Sequence, residues 1–429
     1  MEANFRGNRQ MIADSALSEQ AQKDIDRIAS ATIMVGVPSY NNASTIGHVA
    51  EVAGRGLAAF FPDSKALLIN SDDGSRDNTP DVFLNSATPK NINKLSVRYQ
   101  GMPGKGSALK AIFEAAVRLG VRACVVVDSD LRSITPEWIR WLGGPLMEGA
   151  AGYVTPLYLR HKYDGTITNS LAYPFTRALY GMRVRQPIGG DFGVSGALAE
   201  TYLAKQVWNT TAAQFGIDIF MTTTAINEGF EICQANLGAK IHDVKDPAAD
   251  LGPMFRQVVG TMFALMKTYE DKWMAVKSSK TPPSVGPPFQ QEPGPVQVTF
   301  SALTQKFRNG VAERMEFWKQ FLPDAMLDEL DRLAALGDNA FVFPARLWTH
   351  IVYEFATAYN IGAPSGAHAV KLDPVEIVDS LTPLYFGRTA GFVRETADMN
   401  NVQANAVIER LAELYEEEKP YLIELWRTR

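Results

Sequence analysis

A chain of 429 residues, 46% hydrophobic and 21% charged, has the apolar content for a sizeable core and the length for two or three domains, which excludes a disordered polymer. A formal charge of −5, with no basic tail or Arg/Lys cluster, sets nucleic acid aside as a partner. Two distant cysteines, Cys124 and Cys233, support neither a disulfide framework nor a zinc site and suit a reducing compartment. The polar first thirty residues carry no apolar signal core, and no apolar run approaches the ~20 residues of a transmembrane helix, so a cytoplasmic protein is expected.

Residues 1–30 read as a helical arm. A first strand follows from Thr32 to Val37, closed by Pro38. Further strands are expected at Ala66–Asn70, Leu95–Gln100 and Ala123–Val127, separated by helical patterns at Ser44–Ala59, Thr79–Ser86 and Ser107–Leu119. This alternation is that of a doubly wound α/β domain, here placed at 31–250, in which ligands bind beyond the carboxyl ends of the strands. The half at 31–130 holds these four strand ends, and 131–250 is the remainder of the domain. Beyond it lies a helical region, 251–429. It opens with a pattern over Leu251–Lys277 whose Met254, Val258, Met262, Leu265, Met266 and Tyr269 form an apolar side. Proline-rich Ser278–Gln297 reads as an exposed loop or linker without regular structure. Helices are expected at Phe300–Phe321, Ala345–Ala358 and Gln403–Trp426.

The strand ends carry the chemistry. Val125-Val126-Val127-Asp128-Ser129-Asp130 ends a buried strand in Asp-x-Asp, two carboxylates that can hold a hard divalent cation against a diphosphate. Pro38-Ser39-Tyr40-Asn41-Asn42 can hold the edge of a nucleobase and ribose, or simply turn the chain with Asn as a cap. Asp72-Asp73-Gly74-Ser75 suits base or ribose recognition, while the following Asp77 or Asn78 also suits a helix cap. Gly104-Lys105-Gly106-Ser107 opens a helix whose amides favour anions, and Lys105 offers a point charge to a diphosphate. The spacing is not that of a Walker loop.

In this order the motifs resemble the GT-A nucleotide-sugar glycosyltransferases. The resemblance implies a Rossmann-like fold, Mg²⁺ or Mn²⁺, and sugar transfer from a UDP- or GDP-linked donor. Downstream, Arg160 to Thr168, Gln186-Pro187-Ile188-Gly189-Gly190-Asp191, Gly216-Ile217-Asp218 and Lys240-Ile241-His242 look like mannosylglycerate synthase and the glucosyl-3-phosphoglycerate synthases, retaining enzymes of compatible-solute synthesis. The resemblance covers about residues 30–250. It implies a metal held by Asp128, Asp130 and His242, with Ser129 in the donor loop. It implies Asp218 on the donor-sugar hydroxyls and the Ile188–Gly190 backbone facing sugar and acceptor. Arg160, Thr166 and Thr168 belong to the implied acceptor loop, where an Arg fork with a hydroxyl suits a small carboxylate. Lys105 would steady the leaving diphosphate. Phosphoglycerate users carry a basic Gly-Arg-x-Thr loop. Here Asp164-Gly165-Thr166-Ile167-Thr168 favours free glycerate, with Lys162 and His161 still available to a phosphate.

The expected protein is a retaining, metal-dependent hexosyltransferase that moves glucose or mannose to D-glycerate or a similar hydroxy acid, and a homo-oligomer. An inverting transferase acting on a saccharide or lipid-linked acceptor, with Asp191 or Asp218 as base, is the alternative enzyme. An inactive nucleotide-sugar-binding scaffold is the alternative outside catalysis. The Ile188-Gly189-Gly190 turn offers no carboxylate nucleophile, which points to front-face substitution.

Overall fold

The computed structural model describes residues 15–241, 247–288, 293–365 and 368–429. One eight-stranded sheet is built from β1 (Ile33–Ser39), β2 (Ala66–Asp72), β3 (Asn93–Arg98), β4 (Ala123–Val126), β5 (Tyr153–Leu159), β6 (Phe192–Ser195), β7 (Ile232–Ala239) and β8 (Ser284–Val285). The strands lie in the order β3-β2-β1-β4-β6-β5-β7-β8. All neighbours run parallel except β6, which is antiparallel to both β4 and β5. The helices of this half are α1 (Glu19–Ile28), α2 (Ile46–Phe60), α3 (Thr79–Asn85), α4 (Lys105–Arg118), α5 (Pro136–Glu148), α6 (Tyr173–Tyr180), α7 (Gly196–Leu203) and α8 (Ile217–Asn227).

Strand periodicity sorts the core. On β1, Ile33, Val35 and Val37 join one apolar layer with Val49, Ala53 and Leu57 of α2 and Ile139 and Leu142 of α5. Met34, between them, points into the other layer with Leu109, Ile112 and Phe113 of α4. Gly36 shares that second face. A Cβ there would lie 2.5 Å from Cγ2 of Ile112, so the glycine lets α4 lie directly on the strand.

The second layer continues without a break into the C-terminal helices, taking in Phe263, Phe355, Leu381 and Tyr385. Those helices are α9 (Pro247–Thr268), α10 (Glu270–Ala275), α11 (Phe300–Trp318), α12 (Asp324–Ala335), α13 (Ala345–Asn360), α14 (Pro374–Glu395), α15 (Asn401–Glu417) and α16 (Lys419–Thr428). A hairpin of β9 (Ala363–Ser365) and β10 (His368–Val370) precedes α14.

Several sequence expectations need correction. Strand β1 runs through Pro38 to Ser39, with Pro38 opposite Ser71 of β2. Pairing with β4 ends at Gly36, so the missing proline N–H falls where β1 has a neighbour on one side only. The helix expected over Leu251–Lys277 is two helices parted at Tyr269. The one expected over Gln403–Trp426 also breaks, at Glu418, where Pro420 stands in the first turn of α16. Within the proline-rich segment, Ser284–Val285 forms the parallel edge strand β8 against Gln234 and Ala235. That segment is therefore fastened to the sheet. Proline suits such a position because an edge strand needs few N–H donors. Of the helical arm expected at 1–30, residues 1–14 lie outside the described residues, the helix is α1, and the arm is docked, since the backbone N–H of Ala16 donates to the buried Glu114 carboxylate at 3.0 and 3.1 Å.

The C-terminal helices hold the segment after β5. Lys162 Nζ donates to the carbonyls of Thr396, Ala397 and Met399 at 2.6, 3.1 and 2.6 Å, just past the carboxyl end of α14. Tyr163 Oη donates to the Val393 carbonyl, Thr166 Oγ1 bonds Tyr385 Oη, and Trp348 Nε1 donates to the Ser170 carbonyl. We expect Lys162→Met to lower the unfolding free energy by about 1–3 kcal/mol, the value of charge-assisted bonds to helix-end carbonyls. Urea unfolding followed by circular dichroism checks this, and an unchanged midpoint would show that the clamp is carried by the other contacts.

Candidate active site

The antiparallel strand assembles the site. Strands β1, β4, β5 and β7 all end at one edge of the sheet, and β6 begins there. The register sets Val126 opposite Phe192, which brings Asp128 to the Gly189-Gly190-Asp191 turn that leads into β6. Arg160 follows β5 and Lys240 follows β7 at the same edge.

At the centre, the Asp128 carboxylate lies between two ammonium groups. Lys105 Nζ is 2.7 Å from Oδ1 and Lys240 Nζ is 2.8 Å from Oδ2. Lys240 also donates to Asp191 Oδ2 at 2.8 Å and to the Gly189 carbonyl at 2.9 Å. Asp191 is fully buried; its Oδ1 accepts from the Asp128 backbone N–H at 2.8 Å, and its Oδ2 also accepts from Tyr158 Oη. Lys105 reaches the Gly190 carbonyl at 3.3 Å and lies 3.4 Å from Asp218 Oδ1. Asp218 Oδ2 accepts from the Gly190 N–H at 2.9 Å, whereas Oδ1 is buried and makes no hydrogen bond.

The charges shift accordingly. Burial opposes ionisation of Asp128, but the two lysines outweigh it and hold the carboxyl well below the usual range. Burial would lower Lys105 and Lys240, yet Asp128 and its acidic neighbours raise both. Asp218 is raised, chiefly by burial, with Lys105 opposing.

The loops expected to take the donor are laced together. Asp72, 3% exposed, accepts from Ser39 Oγ at 2.9 Å through Oδ1 and from the Ser75 N–H at 2.7 Å through Oδ2. The Asn41 N–H donates to Ser75 Oγ at 2.8 Å, and Ser129 Oγ donates to Asn42 Oδ1 at 2.8 Å. Asp72 thus organises the two loops, with Gly74 turning between them. Tyr40 is exposed, and Pro38 stays within the strand. Gly104 stands at the N-cap of α4, but the Gly106 N–H donates to the Gln214 carbonyl at 3.2 Å, so this amide is already engaged.

Of the expected acceptor residues, Arg160 and Thr168 meet around Gly165. A Cβ on that glycine would lie 3.4 Å from Arg160 Nη1 and 3.8 Å from Thr168 Oγ1. Arg160 is 3.4 Å from Asp164 through Nη1, rests over the Tyr158 ring, and has a buried Nε without a hydrogen-bond partner. Thr166 turns its hydroxyl to Tyr385. Thr168 begins one turn of π-helix, Thr168–Ala172, leading into α6. Lys162, considered for a phosphate, is consumed by the α14 carbonyls.

Among the expected metal ligands, His242 lies outside the described residues. Each oxygen of Asp128 accepts from an ammonium group, so a cation held there would share the carboxylate with Lys105 and Lys240. Asp130 follows in the turn after β4. Among the described residues no group of three His, Cys, Asp or Glu side chains is placed to hold a metal. Sequence reasoning quoted Lys240 without giving it a role and missed Tyr158. The available signal for Lys240 was its place just past a strand, at the edge where the other strands end.

No protein-family model matches the chain. It is 28% identical over 255 residues to the glucosyl-3-phosphoglycerate synthase of Mycolicibacterium paratuberculosis, covering 55% of this chain and 73% of that protein. The Mycobacterium tuberculosis glucosyl-3-phosphoglycerate synthase is 26% identical over 258 residues, covering 55% and 74%. A crystal structure of the M. tuberculosis enzyme with Mn²⁺, UDP and glucosyl-3-phosphoglycerate aligns with a TM-score of 0.42 at 28% identity, covering 57% of this chain and 83% of that one. A second, with phosphoglyceric acid, aligns with a TM-score of 0.43 at 27% identity, covering 59% and 88%.

The ion cluster predicts a pH signature in metal-free buffer. Asp218 has a raised pKa in the folded state, so its contribution to stability is full below the ordinary carboxylate pKa and falls as pH rises through the folded value. Lys105 opposes this. Lys105→Met removes that opposition, so as pH rises above the ordinary carboxylate pKa its stability should decline more steeply than that of wild type. Adding Asp218→Asn should flatten the decline. Urea unfolding at several pH values checks both, and equal slopes for Lys105→Met and wild type would refute the coupling.

Proposed function

We propose, for a chain that is a distant homologue of glucosyl-3-phosphoglycerate synthase over 55% of its length, that it transfers glucose or mannose from a UDP- or GDP-linked donor to D-glycerate or a similar small hydroxy acid, with retention. The observation that carries this reading is Asp218 Oδ1, a buried carboxylate oxygen whose ion pair with the Lys105 ammonium is long, at 3.4 Å. A buried acceptor with so long a contact gains from a further donor, and sugar hydroxyls are donors that suit it. Beside it stands a cation for the leaving diphosphate.

In the proposed reaction the bond from the anomeric carbon to the diphosphate oxygen breaks, and a bond to the acceptor hydroxyl oxygen forms on the same face. The hydroxyl proton passes to the departing phosphate oxygen. Lys105 leaves its 3.3 Å contact with the Gly190 carbonyl to meet the growing phosphate charge. Asp218 holds hydroxyls of the sugar, and the Gly189–Gly190 backbone faces the ring. The family resemblance implies Mg²⁺ or Mn²⁺, and Asp130 and His242 remain the proposed ligands. Two features favour front-face substitution. The turn has no nucleophile of its own, and neighbouring Asp191 has both oxygens engaged by the Asp128 N–H, Tyr158 and Lys240.

Arg160 is the proposed carboxylate anchor, because its buried Nε is an open donor. Thr168 stands beside it. The engagement of Lys162 by helix-end carbonyls supports free glycerate over a phosphorylated acceptor.

The test is a matrix of UDP- and GDP-linked glucose and mannose against D-glycerate and 3-phosphoglycerate. The expected result is turnover with D-glycerate and an α-product, read from the anomeric coupling constant. A β-product would move the enzyme to the inverting class, and turnover with phosphoglycerate alone would overturn the acceptor assignment. Arg160→Ala should raise the acceptor KM by roughly 10- to 100-fold, as expected for losing a charge-assisted contact of about 1.5–3 kcal/mol, with donor KM little changed. An unaltered acceptor KM would remove Arg160 from the binding site.

A further inference from the structure

We propose that Lys240 is a positioning residue of the transfer site. Its ammonium locks the Gly189–Gly190 turn onto Asp128 and Asp191, and with Lys105 it keeps Asp128 out of the coordination of a divalent cation. This rests on the transferase reading above.

The two lysines differ in how they are held. Lys240 has three short contacts, to Asp128 Oδ2 at 2.8 Å, Asp191 Oδ2 at 2.8 Å and the Gly189 carbonyl at 2.9 Å, one for each N–H of an ammonium group. Its side chain is 4% exposed, and the Tyr158 ring lies 5.3 Å from Nζ. No N–H is left to donate to a phosphate. Lys105 has one short contact, at 2.7 Å to Asp128, and longer ones at 3.3 and 3.4 Å. Lys105 is therefore the lysine that can turn to a ligand, and Lys240 the one that stays.

The turn is shaped around this lock. Gly190 has φ +91°, and a Cβ there would lie 2.2 Å from Asp128 Oδ2 and 2.6 Å from Lys240 Nζ. The ion pair thus occupies the space where a side chain would stand, and residue 190 must be glycine. Through the Gly189 carbonyl, Lys240 also sets the plane of the peptide that the transfer reading turns toward the sugar. A cation on Asp128 would have to displace an ammonium group from this half-buried carboxylate or sit directly against two ammonium charges. That exchange strands Lys240 beside Asp191 or Lys105 beside Asp218, and a buried charge left with fewer partners is costly.

The experiment measures Mn²⁺ and UDP binding apart from turnover. Mn²⁺ affinity is read by electron paramagnetic resonance in the presence of UDP, and UDP affinity by calorimetry at saturating Mn²⁺. Asp128→Asn should hold Mn²⁺ within about threefold of wild type, while Asp130→Asn weakens it more than tenfold. Lys240→Met should lower kcat by 100-fold or more and leave UDP affinity within threefold, the split expected of a residue that sets the sugar-facing turn. If Lys240→Met does not fold, Lys240→Arg carries the same kcat-against-affinity test, because it keeps the charge but cannot reproduce three bonds from one nitrogen. Mn²⁺ loss in Asp128→Asn equal to that in Asp130→Asn would overturn the cation half. UDP affinity falling in step with kcat, or an unchanged kcat, would overturn the positioning half. The nucleotide used is whichever of UDP and GDP the wild-type protein binds, and failure to bind either would instead count against the transferase reading.

Discussion

The site depends on one half-buried carboxylate shared by two ammonium groups. Asp128 ends the central strand β4, and its two oxygens fasten loops that are otherwise far apart in sequence: the start of α4 through Lys105 and the end of β7 through Lys240. The turn before β6 is caught between them. Such an arrangement is expensive to desolvate and worthwhile only when every member is satisfied. The exception, Asp218 Oδ1, is the atom on which the functional reading turns.

The first four strands and the helices between them were legible from periodicity, because each strand contains a short apolar or alternating run closed by polar or glycine-rich residues. The loops at their ends were legible as chemistry for the same reason, since a polar cluster after a buried run marks the edge where ligands bind. Strand direction was not legible. Nothing in Phe192–Ser195 distinguishes an antiparallel strand from a parallel one, yet its reversal is what carries Asp191 to Asp128. The same holds for Ser284–Val285, whose strand character comes from the exposed edge of β7 and not from its own residues. Roles were read best where one residue has one plausible partner. Asp72 was expected to meet a nucleoside, and its contacts within the chain tie Ser39 to Ser75. Lys162 was considered for a phosphate and instead satisfies a helix end. In both cases the deciding partner lies far away in sequence, 33 residues for Ser39 and 234 for Thr396.

The sheet and the helical region meet through polar as well as apolar contacts. Arg177, 2% exposed in its side chain, pairs with Glu409 and Glu416 of α15 at 2.9 Å each. Arg185 donates to Asn169 and to Asn405, also on α15. These bonds run from the segment between β5 and β6 to a helix more than two hundred residues later. They fix the loops around Arg160 from behind, while the β-strand ends fix them from below.

If the loop around Arg160 takes the acceptor as proposed, that double fixation bears on how acceptor preference can change in this protein lineage. A loop held only by its own turn can be exchanged piecemeal, one side chain at a time. Here Tyr163 and Thr166 each have a partner on α14, and Arg177 has partners on α15. An altered loop arrives with unmatched groups unless those helices change with it. The heritable unit of acceptor choice is then a pair of distant segments, and chimeras exchanging the loop together with α14 and α15 should remain better folded than exchanges of the loop alone.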